Sequence, residues 1–301
     1  MRLLISTCNH PLPPKNRSVW ERFLWEYDTR SDTFTPIPIR HPQLPISVGV
    51  TGLARYRDGY VALWQSQTTH IVFLDSEYRV RDVRPLTLTR DGHSLIVRDD
   101  WIWLASTGNN SVTIFHPDHG EQFHRQTNAQ NRDTLHVNSL AFWNGQLWTT
   151  AFGPKTGSSW RESRAGYIRN VTHDQFERTG LAHPHSLVAR LEGLYVCESA
   201  RMSVRDASDR VLHVGRGYTR GLVLTNRWLC VGTSRPRRKS RSTGATLDKP
   251  SEGGFVAGEC GLALYERNSQ DIADSTLLRF SCPHPEVAEI YDIVLVEEDP
   301  C

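Results

Sequence analysis

The 301-residue sequence contains no run approaching eighteen apolar residues, no CxxC pair and almost no helical periodicity in its apolar positions. The first absence leaves no candidate for a membrane-spanning helix. The second removes the closely spaced thiols of redox motifs and zinc ribbons. The third argues against helical bundles and alternating α/β folds. P-loop, GxGxxG, GxSxG and HExxH motifs are missing too. The phosphate cradle, the dinucleotide turn, the nucleophile elbow and the zincin helix therefore have no support.

Charge of one sign is also lacking. The 35 Lys and Arg stand against 33 Asp and Glu, a net +2, which is too balanced for a dedicated nucleic-acid binder. Six cysteines (Cys8, Cys197, Cys230, Cys260, Cys282 and Cys301) are scattered without a framework. A chain of this length does not need disulfide staples, so free thiols are expected. Cys197 in LYVCES and Cys230 in WLCVG read as small buried hydrophobes inside strands. The opening MRLLISTCNHPLPP has only a three-residue apolar run, shorter than the apolar region of a signal peptide. A cytoplasmic protein is expected, with neither membrane nor nucleic acid as partner. Hydrophobic residues make up 38% of the chain, enough to bury a core, and barrel or toroidal β-proteins of this size form one domain.

What is present is a repeat. VGVTGLARYRDGYVALWQS starts at Val48, DGHSLIVRDDWIWLAST at Asp91, HVNSLAFWNGQLWTTAF at His136, HPHSLVARLEGLYVCES at His183, YTRGLVLTNRWLCVGTS at Tyr218, and a shorter EIYDIVLVEE at Glu289. Each has Gly, Ser or Asp before Leu or Ile, then an apolar strand; the first five continue through a polar turn into a second apolar strand. The Leu or Ile positions (Leu53, Leu95, Leu140, Leu187, Leu222, Ile293) are spaced by 42, 45, 47, 35 and 71 residues. The first four intervals are propeller-blade lengths and the last is a blade with an insertion. Third and fourth strands follow, for example HIVFLD with VRDVRPLTL. EIYDIVLV has a first strand only, and the N-terminal RLLISTC, RFLWEYDT and FTPIPIR look like the second, third and fourth strands of the same blade. The reading is an all-β, six-bladed β-propeller whose last blade joins the C-terminal strand to N-terminal strands, leaving no open sheet edge. The blades run over about 49–90, 91–135, 136–182, 183–217, 218–288, and 289–301 with 1–48. Residues 235–254, RPRRKSRSTGATLDKPSEGG, read as a mobile basic insertion.

In order along the chain, NRDTLHVNSLAFWNGQLWTTAF, SSWRES with AGYI, GLAHPHSLV with GLYVCESA, GYTRGLVL with VGTS, and EIYDIVLV resemble the signature segments of an uncharacterised bacterial β-propeller family. That family is a conserved domain of unknown function, sometimes fused to tetratricopeptide repeats. The resemblance covers most of the chain from about Thr51 onward. It departs at Leu187, where the family usually has proline after its His-Ser, and at Leu135, where it tends to have cysteine. It implies the fold and carries no activity.

In a propeller the innermost strands line the central channel, so the residues entering them converge from every blade. The residue before each Gly/Ser/Asp-Leu/Ile step is Thr51, His93, Asn138, His185, Arg220 or Tyr291. Two positions earlier stand Gly49, Asp91, His136, His183, Tyr218 and Glu289. In an extended segment residues i and i+2 point the same way, so DGH, HVN and HPH each present two polar side chains together. His136, Asn138, His183, His185 and Glu289 form the mixed nitrogen and oxygen set expected for a divalent metal such as Zn, Mn or Fe. The NSL step at Asn138 is also similar to the metal-ligand Asn of gluconolactonase and senescence-marker propellers. His93 is the expected base and Arg220 the expected anion clamp. Asp91, Tyr218, Tyr291 and the loop pair Trp160 and Arg161 are the expected substrate contacts. The function expected is a metal-dependent hydrolase, lactonase or isomerase acting on an anionic or hydroxylated small molecule. The alternative is a non-catalytic module that binds a glycan or peptide.

Overall fold

The computed structural model describes residues 1–8, 23–126, 132–155, 157, 160–235, 258–285 and 287–298. Among them are strands and single-turn 3-10 segments but no α-helix. The chain opens with β1 (Arg2–Cys8), β2 (Leu24–Asp28) and β3 (Thr33–Ile37), then runs in groups of four. These are β4 (Gly49–Tyr56), β5 (Gly59–Gln65), β6 (His70–Leu74) and β7 (Val80–Pro85); β8 (Gly92–Arg98), β9 (Trp101–Ser106), β10 (Ser111–His116) and β11 (Gly120–Gln126). Next come β12 (Val137–Trp143), β13 (Gln146–Ala151), β14 (Gly166–Asn170) and β15 (Phe176–Leu181), then β16 (Pro184–Arg190), β17 (Gly193–Glu198), β18 (Ser203–Arg205) and β19 (Val211–His213). The last group is β20 (Tyr218–Leu224), β21 (Trp228–Ser234), β22 (Gly261–Glu266) and β23 (Thr276–Ser281), and β24 (Glu289–Glu297) ends the chain of strands. Sequence neighbours within each group pair antiparallel, giving the four-stranded sheets of a propeller.

Burial follows the order of strands. Second strands such as GYVALWQ of β5 and GLYVCE of β17 are buried almost throughout, because the sheets of both neighbouring groups pack against them. Hence they read as continuous apolar runs rather than as alternating ones. Fourth strands such as FERTGL of β15 are mostly exposed. First strands touch one another in turn: β4 meets β8, β8 meets β12, β12 meets β16, β16 meets β20, β20 meets β24, and β24 meets β4. The succession closes on itself.

Closure depends on β1. It pairs with β24 on one side, with Leu4 opposite Val294 and Ile5 opposite Ile293, and with β2 on the other. Leu3, Leu4 and Ile5 are fully buried. Leu4 packs with Val50 and Trp64, while Leu3 and Ile5 pack with Leu262 and Ile290 on the opposite face. Alternation along one strand thus serves two neighbouring cores, each side chain contributing about 2–3 kcal/mol by burial.

The repeated Gly, Ser or Asp before each Leu or Ile has a structural purpose. Ser139 Oγ accepts the Leu187 N–H (3.1 Å) and Ser186 Oγ accepts that of Gly221 (2.8 Å). Asp292 Oδ2 accepts that of Leu53 (2.9 Å). The small polar residue of one sheet therefore holds the backbone of the next. Where glycine stands, space decides: a Cβ on Gly221, whose φ is +66°, would lie 2.7 Å from a side-chain carbon of Ile293.

Among these bridging groups only Asp292 titrates. Among the described residues its carboxylate accepts the N–H groups of Leu53 and Ile293, and enclosure in the channel wall pushes its pKa up to about 7. A carboxyl raised in the folded state stabilises the fold below its unfolded value near 4, and that contribution disappears as pH rises through 7. Asp292→Asn keeps an acceptor for Leu53 and removes the ionisation. The variant should match the parent in urea unfolding near pH 4 and exceed it by about 1–2 kcal/mol at pH 8. A variant less stable than the parent at pH 8 would show that the Leu53 contact needs the carboxylate.

Candidate functional site

Each first strand breaks register at the same step. The break falls between Val50 and Gly52, Gly92 and Ser94, Val137 and Leu140, His185 and Val188, and Arg220 and Leu222. On β24 it falls at Tyr291, opposite the junction of Ser6 and Thr7. A bulge inserts a residue that leaves the two-residue alternation and re-aims its neighbours. The residues two positions earlier are not extended either: Asp91, His136 and His183 have φ of +49°, +55° and +54°. This corrects the expectation that DGH, HVN and HPH align their side chains by simple strand alternation. Both members of each pair still reach the axis, because a left-handed residue followed by a bulge turns the chain twice. One backbone bond recurs at each pair: the carbonyls of Asp91, His136 and His183 accept the N–H groups of Thr107, Phe152 and Ser199.

The side chains make a closed circuit of rings. Tyr291 lies 5.9 Å from His93, and His93 lies edge-on to His136 at 5.0 Å. His136 packs on Phe152 (4.4 Å) and Trp160 (4.9 Å). Phe152 stacks on His183 at 4.5 Å and meets His185 at 5.1 Å. His185 meets Tyr218 at 5.2 Å. Arg220 completes the circuit, its guanidinium 5.2 Å from the Tyr218 ring and 4.5 Å from that of Tyr291. His185, Arg220 and Asn138 are only 1%, 6% and 2% exposed, so the circuit is largely closed to solvent.

Carbonyl and hydroxyl partners fix where the imidazole protons sit. His183 donates from Nε2 to the Trp160 carbonyl (2.7 Å), so its Nδ1 accepts the Tyr218 hydroxyl (3.1 Å). His185 donates from Nδ1 to the His183 carbonyl (3.0 Å) and to Ser199 Oγ (2.8 Å). Ser199 gives its own proton to the Thr219 carbonyl, which leaves its oxygen an acceptor for that Nδ1–H. The buried Nε2 of His185 therefore carries a lone pair, and it has no hydrogen-bond partner among the described residues. His136 donates from Nδ1 to Asp133 Oδ2 (2.8 Å). Asn138 lies 3.4 Å from His93 Nδ1, and Asp91 lies 3.4 Å from His93 Nε2.

Desolvation keeps His136, His183 and His185 neutral. It holds His183 down to about 3, aided by the nearby Arg164 charge, and drives His185 well below the usual range, aided by Arg220. His136 is lowered by the same burial, and Asp133 opposes the shift. The thiol of Cys197 is pushed up to about 12 by burial, as its inert role requires.

The expected residues are thus gathered, with altered roles. His93, the expected base, has both nitrogens facing protein groups. Arg220 is 3.5 Å from Glu289, which also accepts the Cys8 thiol. Tyr218 serves His183, and Asp91 also accepts the Gln65 amide. Trp160 lies in a 3-10 turn, Trp160–Glu162, between β13 and β14. The Arg161 side chain and residues 236–254 of the basic insertion lie outside the described residues. Among the described residues no group of three or more His, Cys, Asp or Glu is arranged to hold a metal ion. With both nitrogens of His183 engaged and a guanidinium in the circuit, the donors do not fit a metal as they stand, and no step is derived through one. Sequence reasoning missed Asp133, Phe152 and Ser199. Asp133 had a local signal, standing three residues before His136, whereas Phe152 and Ser199 follow second strands and meet the site only through the fold.

Against known proteins, the family described as "Domain of unknown function (DUF4915)" matches residues 66–300. No curated protein matches. Among solved structures, one from Bacteroides uniformis described as a "putative 6-phosphogluconolactonase" is similar at 13% identity and TM-score 0.52, over 97% of this chain and 98% of that one. Another with the same description, from Bacteroides fragilis, gives 13% and 0.52 over 98% of each chain. A chain of a nidogen/laminin complex gives 12% and 0.60 over 97% of each. At these identities the likeness is one of fold.

The buried neutral imidazoles make the site acid-sensitive. A histidine lowered in the folded state stabilises the fold above its unfolded value near 6.5, and that contribution is lost as pH falls toward 3. Between pH 6.5 and 4, chemical unfolding of the parent should lose about 2 kcal/mol more than that of His183→Gln. Equal slopes would place a protonated His183 in the folded protein.

Proposed function

The chain belongs to this β-propeller family of unknown function, and from the axial site we propose that it is a small-molecule enzyme acting on an anionic, hydroxylated substrate by hydrolysis, with lactone opening as the representative reaction. One observation carries the reading. Two imidazoles, His136 and His185, have Nδ1 protons committed to fixed acceptors, which leaves the lone pair on Nε2 within an aromatic enclosure that also holds the buried guanidinium of Arg220. Arg220 grips the substrate's carboxylate or phosphate. An imidazole takes a proton from water as the water oxygen adds to the carbonyl carbon; the ring C–O bond then breaks and the proton passes to the departing oxygen. One water is consumed and no other reactant is required.

The same reading takes the ring to have six blades, supported by the closed succession of β4, β8, β12, β16, β20 and β24. It places the protein in a reducing compartment, supported by free cysteines at Cys8, Cys197, Cys230, Cys260 and Cys282. The two lactonase descriptions agree in reaction class, but the reading rests on the side chains. A second reading, glycan binding without turnover, is supported by the aromatic lining of Phe152, Trp160, Tyr218 and Tyr291.

A panel of aldonic and uronic acids, their phosphates and their lactones tests both. Calorimetry should show acid binding to the parent that weakens at least tenfold in Arg220→Met. Lactone opening followed by NMR should fall at least a hundredfold in His136→Gln, while acid binding persists. Absence of acid binding would sink the anionic substrate class. Binding without lactone opening would leave the glycan module as the better account.

A further inference from the structure

The circuit holds four imidazoles, and their partners on the side away from Nε2 differ in kind. His185 gives its Nδ1 proton to a backbone carbonyl and a hydroxyl, both neutral. His183 has both nitrogens engaged, by the Trp160 carbonyl and the Tyr218 hydroxyl. His93 lies between the Asn138 amide and Asp91, whose carboxylate is 3.4 Å away and half exposed. Of the four, His136 alone has a carboxylate at 2.8 Å on Nδ1, and among the described residues its Nε2 has no hydrogen-bond partner.

The Asp133 carboxylate is itself held in place. Its Oδ1 accepts the backbone N–H of His136 (3.0 Å) while Oδ2 takes the ring proton, so backbone and side chain of one residue fix both oxygens. Asn110 secures the same turn: its Oδ1 accepts the N–H groups of Leu135 (2.9 Å) and His136 (3.2 Å), and its amide nitrogen donates to Thr134 Oγ1 (3.1 Å) and to the Arg132 carbonyl. The Asp133 side chain is 23% exposed and that of His136 only 13%, so the contact is sheltered from water. His136 holds a left-handed φ of +55° at this turn, a conformation unfavourable for a non-glycine residue. The two side-chain acceptors that gather its N–H offset that cost.

We infer that Asp133 is the positioning residue of the site: it orients His136, fixes its Nδ1–H tautomer and makes it the base, while His185 accepts a hydrogen bond from a substrate hydroxyl. This division rests on the hydrolytic reading above. When His136 takes a proton on Nε2, the imidazolium faces the Asp133 carboxylate through the proton already on Nδ1, so the new positive charge has a partner in place. His185 has no such partner, and Arg220 disfavours its protonation. A neutral acceptor can hold a hydroxyl without removing its proton.

Long-range proton–nitrogen NMR of protein labelled with ¹⁵N-histidine tests the assignment without a substrate, with His136→Gln identifying the signals of that ring. In the parent, His136 should be the Nδ1–H tautomer with a strongly downfield Nδ1 proton. That proton should move upfield or vanish in Asp133→Asn and return in Asp133→Glu, while His185 signals stay in place. An Nε2–H tautomer for His136 in the parent would overturn the inference, and this arm needs no variant to fold. An unchanged His136 spectrum in a folded Asp133→Asn protein would overturn it too. Either failure leaves the Arg220-dependent acid binding standing, so it is distinguishable from failure of the hydrolytic reading. With a lactone that is turned over, Asp133→Asn should lower kcat at least tenfold with KM little changed. An equal loss in KM instead would make Asp133 a residue of the turn only.

Discussion

The antiparallel pairing of β24 with β1 is the constraint on which the axial site depends. Tyr291 and Glu289 come from β24, His93, Asn138, His185 and Arg220 from first strands elsewhere, and they meet only if the succession of sheets returns to its start. The leucines and isoleucine of β1 fill the cores on both sides of the junction, and its Cys8 donates to Glu289 next to Arg220. Loss of that wedge would open the ring at the place where Arg220 meets Tyr291. The geometry of the axial site is therefore a property of closure, which no single sheet possesses.

The second determinant is desolvation. Imidazoles clustered next to a guanidinium would repel it if protonated, and burial removes that conflict by keeping His136, His183 and His185 neutral. Arg220 retains a countercharge in Glu289, and its two tyrosine faces receive the remaining charge through ring quadrupoles. The site thus holds a guanidinium next to the neutral imidazoles of His183 and His185.

Much of the fold was legible because the repeat writes it openly. The Gly/Ser/Asp-Leu/Ile step located first strands, and the incomplete last repeat pointed to the joining of the two ends. What that step does was not legible: Ser139, Ser186 and Asp292 use it to hold the next sheet, and a hydrogen bond to a residue about 35 or 48 positions away, or across the chain ends, leaves no local trace. The site was legible as a set of positions: His93, Asn138, His185, Arg220 and Tyr291 do meet. Their roles were not, because tautomers depend on the Trp160 carbonyl, the Ser199 hydroxyl and the Asp133 carboxylate. Strand alternation also misled, since left-handed turns at Asp91, His136 and His183 and the bulges after them aim the side chains.

The pairing of β1 with β24 has a mechanical side. Arg2 stands opposite Glu297, so the start of one strand and the end of the other lie at the same edge of the ladder. A force pulling these two points apart acts across the strands and parts their hydrogen bonds one rung at a time, whereas strands pulled along their length would have to yield together. The junction that seals the ring against thermal opening is thus a zipper toward tension, and a tethered protein would begin to unravel there, losing the Tyr291 side of the site before any other sheet is disturbed.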